Sequence, residues 1–395
     1  MNEELKAARR ADEILSIVAD RGERLDSVNV ATAVNRLYKV ANARDNLRGD
    51  PRYARLLELV RRLCRAFRAR EVANVVHGLG VLCADRGAGD VDAETAGEVM
   101  LAVEREIDSM NPQAIANVYN GLTKLPAAAA AMSPERWRRL SEAASHLAPE
   151  MNSQDIANTL NALGKIDAAA EAVSSGTGWS RLIEAAERRA PEMNAQEIAN
   201  TLNALGKIDA AERAVSSGAG WSRLIGAAER RAPEMNAQDI AHVLNALGKI
   251  SAAAEAVSSA GWSRFATAVE RTSGAMNAQE MSNVVNAYAE MRGVPEAPEA
   301  VSAAGWRSLA AVARRTAPAM NSQAIALTVD AAKKLDAFAM AIDDDGWNQL
   351  ARQVPRVARD FNEQEVVLVL SAVGWKRELA KALARVDGGW DALIA

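Results

Sequence analysis

Three observations predict an all-α chain, a right-handed α-solenoid of about nine 42-residue helical repeats forming a superhelix. The phrase that opens MNSQDIANTLNALGKI recurs from Met110, Met151, Met193, Met235, Met276, Met320 and Phe361, with weaker copies at Leu25 and Phe67, at intervals of 41 to 44 residues. Trp137, Trp179, Trp221, Trp262, Trp306, Trp347 and Trp390 keep the same period independently, so seven of the eight Trp hold one structural position. No strand-like alternation interrupts the period, which leaves stacked helical units rather than a compact domain.

Each unit divides in the same order. In residues 178–215 the first helix starts near Trp179 and places Trp179, Leu182, Ile183 and Ala186 on one buried face at the i, i+3, i+4, i+7 spacing. Pro191 ends it. Asn194 and Glu197 form a capping box that starts the second helix, whose apolar face is Ile198, Leu202 and Leu205. Gly206 reads as a left-handed stop, and Asp209 with Glu212 repeats the cap pattern before a short Ala-rich third turn. Gly/Ser runs such as SSGAG close the unit, which in length is close to armadillo or HEAT geometry. Residues 1–92 read as divergent N-terminal repeats or a cap, because the first copy has no Trp and segments 42–52 and 86–92 break the pattern with Gly, Asp and Arg. Residues 93–395 read as the regular array, truncated one turn after Trp390 in the last unit.

Composition narrows the function. The chain has 395 residues and a formal charge of -4, and no run approaches the roughly 18 to 20 apolar residues of a membrane span. Charges stand in MNEELKAARRADEIL where a cleavable signal peptide needs its apolar core, and two cysteines make no disulfide framework, so a reducing compartment is expected. His77, His146 and His242 occupy unrelated repeat positions, and the intervals between Cys64, His77 and Cys83 fit no zinc pattern. No P-loop, HExxH, GxSxG or dinucleotide-binding motif is present. The expectation is a monomeric non-enzyme with no catalytic residue, metal, cofactor or small-molecule substrate.

The recurrent constellation is polar. On the second helix Gln196, Asn200 and Asn203 stand at i, i+4, i+7, matched by Gln113, Asn117, Asn120; Gln154, Asn158, Asn161; Gln238, His242, Asn245; and Gln279, Asn283, Asn286. Stacking turns these into ladders along one wall. They fit two roles: a partner-binding row whose amides offer donors and acceptors, or structural ladders that satisfy backbone groups between units. Their near invariance favours the second for the Asn pair, since a sequence-reading surface varies its reading residues. The Trp series fits core anchors, which leaves little aromatic surface for stacking bases. Residues 1–72 carry +5 and residues 73–395 carry -9, so the basic part is local, concentrated in RRLCRAFRAR at 61–70. An acidic main body favours a protein partner over nucleic acid.

The segments IANTLNALGKID at 156–167 and 198–209 resemble the phrase of the SKWP-repeat type III effectors of plant-pathogenic bacteria, with Gly206-Lys207-Ile208-Asp209 at the naming tetrapeptide. That resemblance implies an armadillo-like scaffold that enters the host cytoplasm by a type III route, without a cleavable signal peptide, and binds a host protein. MNPQAIANVYNGLTKL at 110–125 is similar to the octotricopeptide repeat, with Gln113, Ala116, Asn117 and Leu122 at the matching places. That second resemblance implies a single-stranded RNA partner and an organellar or cytoplasmic location.

Overall fold

The computed structural model describes residues 1–173, 177–208, 218–291 and 293–386. All regular structure among them is helical, and the contacts divide the chain into two compact units, Met1–Arg189 and Ala190–Ala395. Both are built from helix pairs. In the first unit the pairs are Ala11–Arg21 with Ser27–Val40, Pro51–Leu63 with Ala69–Asp85, Ala93–Glu106 with Pro112–Leu122, and Pro134–Leu147 with Ser153–Leu163; the first helix Gly178–Arg189 closes it. The second unit opens on the second helix Ala195–Leu205. It continues with Gly218–Arg231 and Ala237–Lys249, Ser259–Thr272 and Ala278–Glu290, Ala303–Thr316 and Ser322–Lys334, and Asp344–Val357 and Glu363–Trp375. Within each unit every second helix packs on the next second helix and every first helix on the next first helix, so each unit has two helical layers. The α-solenoid is therefore the fold of this chain.

Apolar periodicity decides which face each helix turns inward. Trp179, Leu182, Ile183 and Ala186 are buried, as are Ile198, Leu202 and Leu205. Trp137, Trp179, Trp221, Trp262, Trp306 and Trp347 are only 2–4% exposed, which makes them core anchors; Trp306 lies between Tyr288 and Phe338 at centroid distances of 5.6 and 6.1 Å. Tyr53 fills the Trp position of the Pro51–Leu63 helix and is buried too. The last Trp of that series, Trp390, and the truncated end lie outside the described residues, as do Asp209 and Glu212. Trp375 differs from the series: it sits on a second helix, with Val367 and Leu370 on the same outer surface, and is 55% exposed.

The corner between the two helices is the most repeated piece of structure. The first helix tightens into one 3-10 turn, such as Ala190–Glu192 or Ala232–Glu234, and a buried Met follows in extended conformation. Asn then caps the second helix: Asn194 Oδ1 accepts from the Glu197 N–H at 2.9 Å, while Glu197 Oε2 accepts from the Asn194 N–H at 3.0 Å. The same box forms at Asn152, Asn236, Asn277 and Asn362. The Met carbonyl would be an unused acceptor in this corner, and the next repeat supplies its donor. Arg189 donates to the Met151 carbonyl and Arg231 to that of Met193, both at 2.9 Å; Arg271 donates to Met235 at 2.7 Å and Arg315 to Met276 at 2.8 Å. Arg105 on the Phe67 carbonyl, at 2.7 Å, and Arg356 on that of Met320 complete the series. Hydrogen bonds of this charged kind contribute about 1.5–3 kcal/mol each.

Gly206 departs from the expected left-handed stop. Its φ is -71°, in the right-handed region, and the positive-φ residues among those described are Gly87 and Gly89, both in the segment after Ala69–Asp85. The physical reason for glycine is close approach. A Cβ on Gly206 would stand 3.1 Å from the Cα of Ala246, one on Gly248 2.9 Å from the Cα of Ala287, and one on Gly80 2.9 Å from the Gly121 carbonyl oxygen. In each case a glycine thirteen residues after the repeat's opening residue meets the Ala or Gly eleven residues after the next one. Of segments 42–52 and 86–92, expected as insertions or a cap, Pro51 and Arg52 open the Pro51–Leu63 helix, and the rest occupies the place that short third helices such as Pro126–Ala130 or Asp336–Ala341 take elsewhere.

A paired substitution checks the crossing. Gly121→Ala would push its Cβ to 2.5 Å from the Val76 carbonyl oxygen and is expected to cost at least about 2 kcal/mol in urea unfolding. Gly97→Ala, in mid-helix with nothing within 4 Å, is expected to gain about 0.5–1 kcal/mol.

Candidate functional site

The second helix sets the Gln/Asn stripe because positions three, seven and ten after its opening Met fall on neighbouring turns of one side. Depth falls off along it. Gln113, Gln154, Gln196, Gln238 and Gln279 are exposed, Asn117, Asn158, Asn200, His242 and Asn283 are half-buried, and the third position is half-buried at Asn120, Asn161, Asn245 and Asn286 but buried at Asn203. Only the first position is therefore exposed throughout; the second and third are half-buried alike, apart from the buried Asn203. At the third, Asn245 Nδ2 donates to Asn203 Oδ1 at 3.2 Å, a rung that ties two successive second helices together. Two other stripe residues, Gln113 and Asn117, line a cleft of about 480 Å³ with Arg70, Asn74, Ser109 and Asn111, between the Ala69–Asp85 and Pro112–Leu122 helices. At Gln323 the next two amides are replaced by Leu327 and Asp330, and at Gln364 by Leu368 and Ser371.

One turn beyond the third position runs a second row that the sequence reading did not single out. It is Lys39, Lys124, Lys165, Lys207, Lys249 and Lys334, with Glu290 in the Ala278–Glu290 helix. The signal was present in the Lys of each ALGK phrase, but net charge summed over the chain concealed it. Several of these cations are answered within the chain. Lys124 pairs with Asp85 at 2.7 Å, and Lys334 pairs with both Asp330 and Glu290 at 2.6 Å. Burial works to lower the Lys334 pKa, and the two carboxylates outweigh it and leave it raised. Lys249 has its pKa lowered, by burial first and by the charge of Lys207 second. His77, which takes the third stripe position in its repeat, is lowered by burial and then by Lys124 and Lys39, and its ring meets Tyr38 edge-on at 5.2 Å.

The Arg-rich segment 61–70 is largely answered as well. Arg61 pairs with Glu94, Arg62 with Glu23 at 3.0 Å and Arg65 with Glu98 at 3.6 Å, all on neighbouring repeats. Burial pushes the Cys64 thiol up, with Glu98 adding to it, and pushes Cys83 up to about 12 with help from Asp90, so neither carries a thiolate at neutral pH. Among the described residues no three His, Cys, Asp or Glu converge as a metal site, and no helix is long and apolar enough to cross a membrane.

Six stretches of the chain match a family described as a protein of unknown function (DUF1601): residues 54–76, 99–118, 137–160, 180–202, 222–244 and 307–329. Each spans the corner from a first helix into the second helix, the part in which Asn cap and Met carbonyl recur, and marks the chain as a repeat protein. No curated protein matches. Among solved structures, a homology model of the full-length AP-3 complex in an intermediate open conformation is 12% identical, with 96% of this chain and 82% of that one covered and a TM-score of 0.28. A circular tandem repeat protein with a novel repeat topology is also 12% identical, with 97% and 89% covered and a TM-score of 0.27. The chain is a helical-repeat protein.

The rung makes a measurable claim. In a double-mutant cycle of Asn203→Ala and Asn245→Ala, read by urea unfolding, the coupling is expected near 1 kcal/mol, the range of a net side-chain hydrogen bond. Additive effects would return the Asn pair to the solvent-facing row.

Proposed function

We propose that this chain is a non-enzymatic scaffold that binds a protein partner along the row of second helices. The observation that carries the reading is the exposed Gln at one register of five successive second helices, backed at each by a half-buried amide or imidazole. Repeated neutral donors and acceptors on successive second helices, Gln113 and Gln154 in the first unit and Gln196, Gln238 and Gln279 in the second, suit the backbone of an extended segment, which presents the same groups at every residue. The burial of the six described Trp of the series removes the stacking surface that a single-stranded RNA reader needs. The SKWP-like phrases at 156–167 and 198–209 support the narrower reading of an effector acting on a host protein in the host cytoplasm, after type III delivery.

A photo-crosslinking side chain placed at Gln238, with Arg264 on the Ser259–Thr272 first helix as the control position, tests this in host lysate. Protein adducts that form from Gln238 and not from Arg264 are expected. Nucleic-acid adducts alone, together with salt-dependent RNA binding tighter than about 1 μM, would replace the reading with the octotricopeptide-like one.

A further inference from the structure

Lys207 and Lys249 occupy one place on successive second helices, each one turn beyond a member of the Asn203–Asn245 rung at 3.2 Å. Between rung and lysines the helices cross closely, because Gly206 has no side chain to hold Ala246 away. The reach of this place is shown two repeats further on. There Glu290 and Lys334 hold the same two positions, and their charged groups meet at 2.6 Å. At the Lys207–Lys249 junction the geometry is repeated with like charges. Neither lysine has an ion pair or hydrogen bond among the described residues, and Glu290, the next carboxylate in the row, is engaged by Lys334. Both ammonium-bearing side chains are exposed.

We propose that Lys207 and Lys249 together bind a carboxylate of an acidic, extended peptide segment lying in the groove between the Ala195–Leu205 and Ala237–Lys249 helices. The proposal rests on the protein-partner reading and names the chemistry of that partner. Two adjacent cations with no counter-charge among the described residues accept one bridging carboxylate, or one on each, by charge-assisted hydrogen bonds. Gln196 and Gln238, exposed on the same two helices, stand eleven residues before the lysines, about 16 Å along the axis at the rise of an α-helix, or the span of about five extended residues. A segment with its peptide groups on the Gln side chains thus delivers an acidic side chain to the lysines. A nucleic-acid strand is served less well. It carries a phosphate at every nucleotide, whereas the next position of the row is a carboxylate, Glu290, and Lys334 beyond it is already paired with Glu290 and Asp330.

The test uses the full chain and a fluorescein-labelled octapeptide of Ser, Thr and Gly ending in Glu-Glu, read by fluorescence anisotropy beside a control ending in Gln-Gln with an amidated terminus. The acidic peptide is expected to bind at least about tenfold more tightly than the control, the ratio one charge-assisted pair supplies. Lys207→Glu recreates the Glu290–Lys334 arrangement, so it is expected to raise the melting temperature while weakening the acidic peptide at least about tenfold. Lys207→Arg should keep the affinity, and Lys249→Met provides a second neutralised variant should the first misfold. Equal binding of acidic and control peptides, or undiminished binding by folded Lys207→Glu and Lys249→Met, overturns the proposal. So does tighter binding of a 12-nucleotide oligouridylate than of the acidic peptide. If Gln238 still crosslinks to protein in the Lys207→Glu chain while the acidic peptide fails on the wild type, the lysine site falls and the scaffold reading stands; loss of both sinks both.

Discussion

The structure depends on how closely successive second helices approach. Where Gly206 meets Ala246, and Gly248 meets Ala287, backbone touches backbone with no side chain between. Helices separated by ordinary side chains lie about 8–10 Å apart, and their surface residues then reach one another only through long side chains. The small-residue crossing removes that spacing, and the neighbouring positions follow from it. Asn203 and Asn245 come within hydrogen-bond distance on one side of it, and at a later crossing, where Ala289 takes the place of the glycine, Glu290 and Lys334 come into contact on the other. The row that would meet a partner is a by-product of the contact that holds the repeats together.

Much of this was legible in the sequence, and what was not had a common cause. Helix starts, caps and buried faces are set within a few residues, so Asn194 with Glu197, or Trp179 with Leu182, could be read directly. Gly206 was misread because a glycine after a helical run has two physical uses, and a left-handed turn is the one that local sequence suggests. Its actual neighbour, Ala246, lies forty residues away. The arginines on the Met carbonyls from Met151 to Met320 were illegible for the same reason, since Arg188-Arg189 or Arg230-Arg231 read alone are only polar residues at a helix end. The stripe itself was legible as a pattern, but its depth was not. The difference that buries Asn203 and leaves Gln196, two turns earlier on the same face, in solvent is a consequence of the neighbouring helix, not of the helix that carries them.

Charge shows how a sum can hide an arrangement. The chain as a whole is slightly acidic, and its Arg-rich segment is mostly spent on Glu23, Glu94 and Glu98 of neighbouring repeats. The informative cations are instead single lysines spread one to a repeat, which only the fold gathers into a row. Within that row the surroundings decide the consequence: Asp330 and then Glu290 outweigh burial and raise the pKa of Lys334, and burial first, with the ammonium of Lys207 second, lowers that of Lys249.

The bond from arginine to Met carbonyl gives the array a direction. The donor always belongs to the later repeat and the acceptor to the earlier one, as with Arg231 on Met193 and Arg315 on Met276. Each repeat therefore has a donating edge and an accepting edge that are not interchangeable, like the ends of a polar filament. Gene duplication can lengthen such an array only head to tail, because every added copy arrives with both edges already in the right order. A repeat inverted in sequence, or two like edges brought face to face, would leave carbonyls opposite carbonyls and guanidinium groups opposite each other.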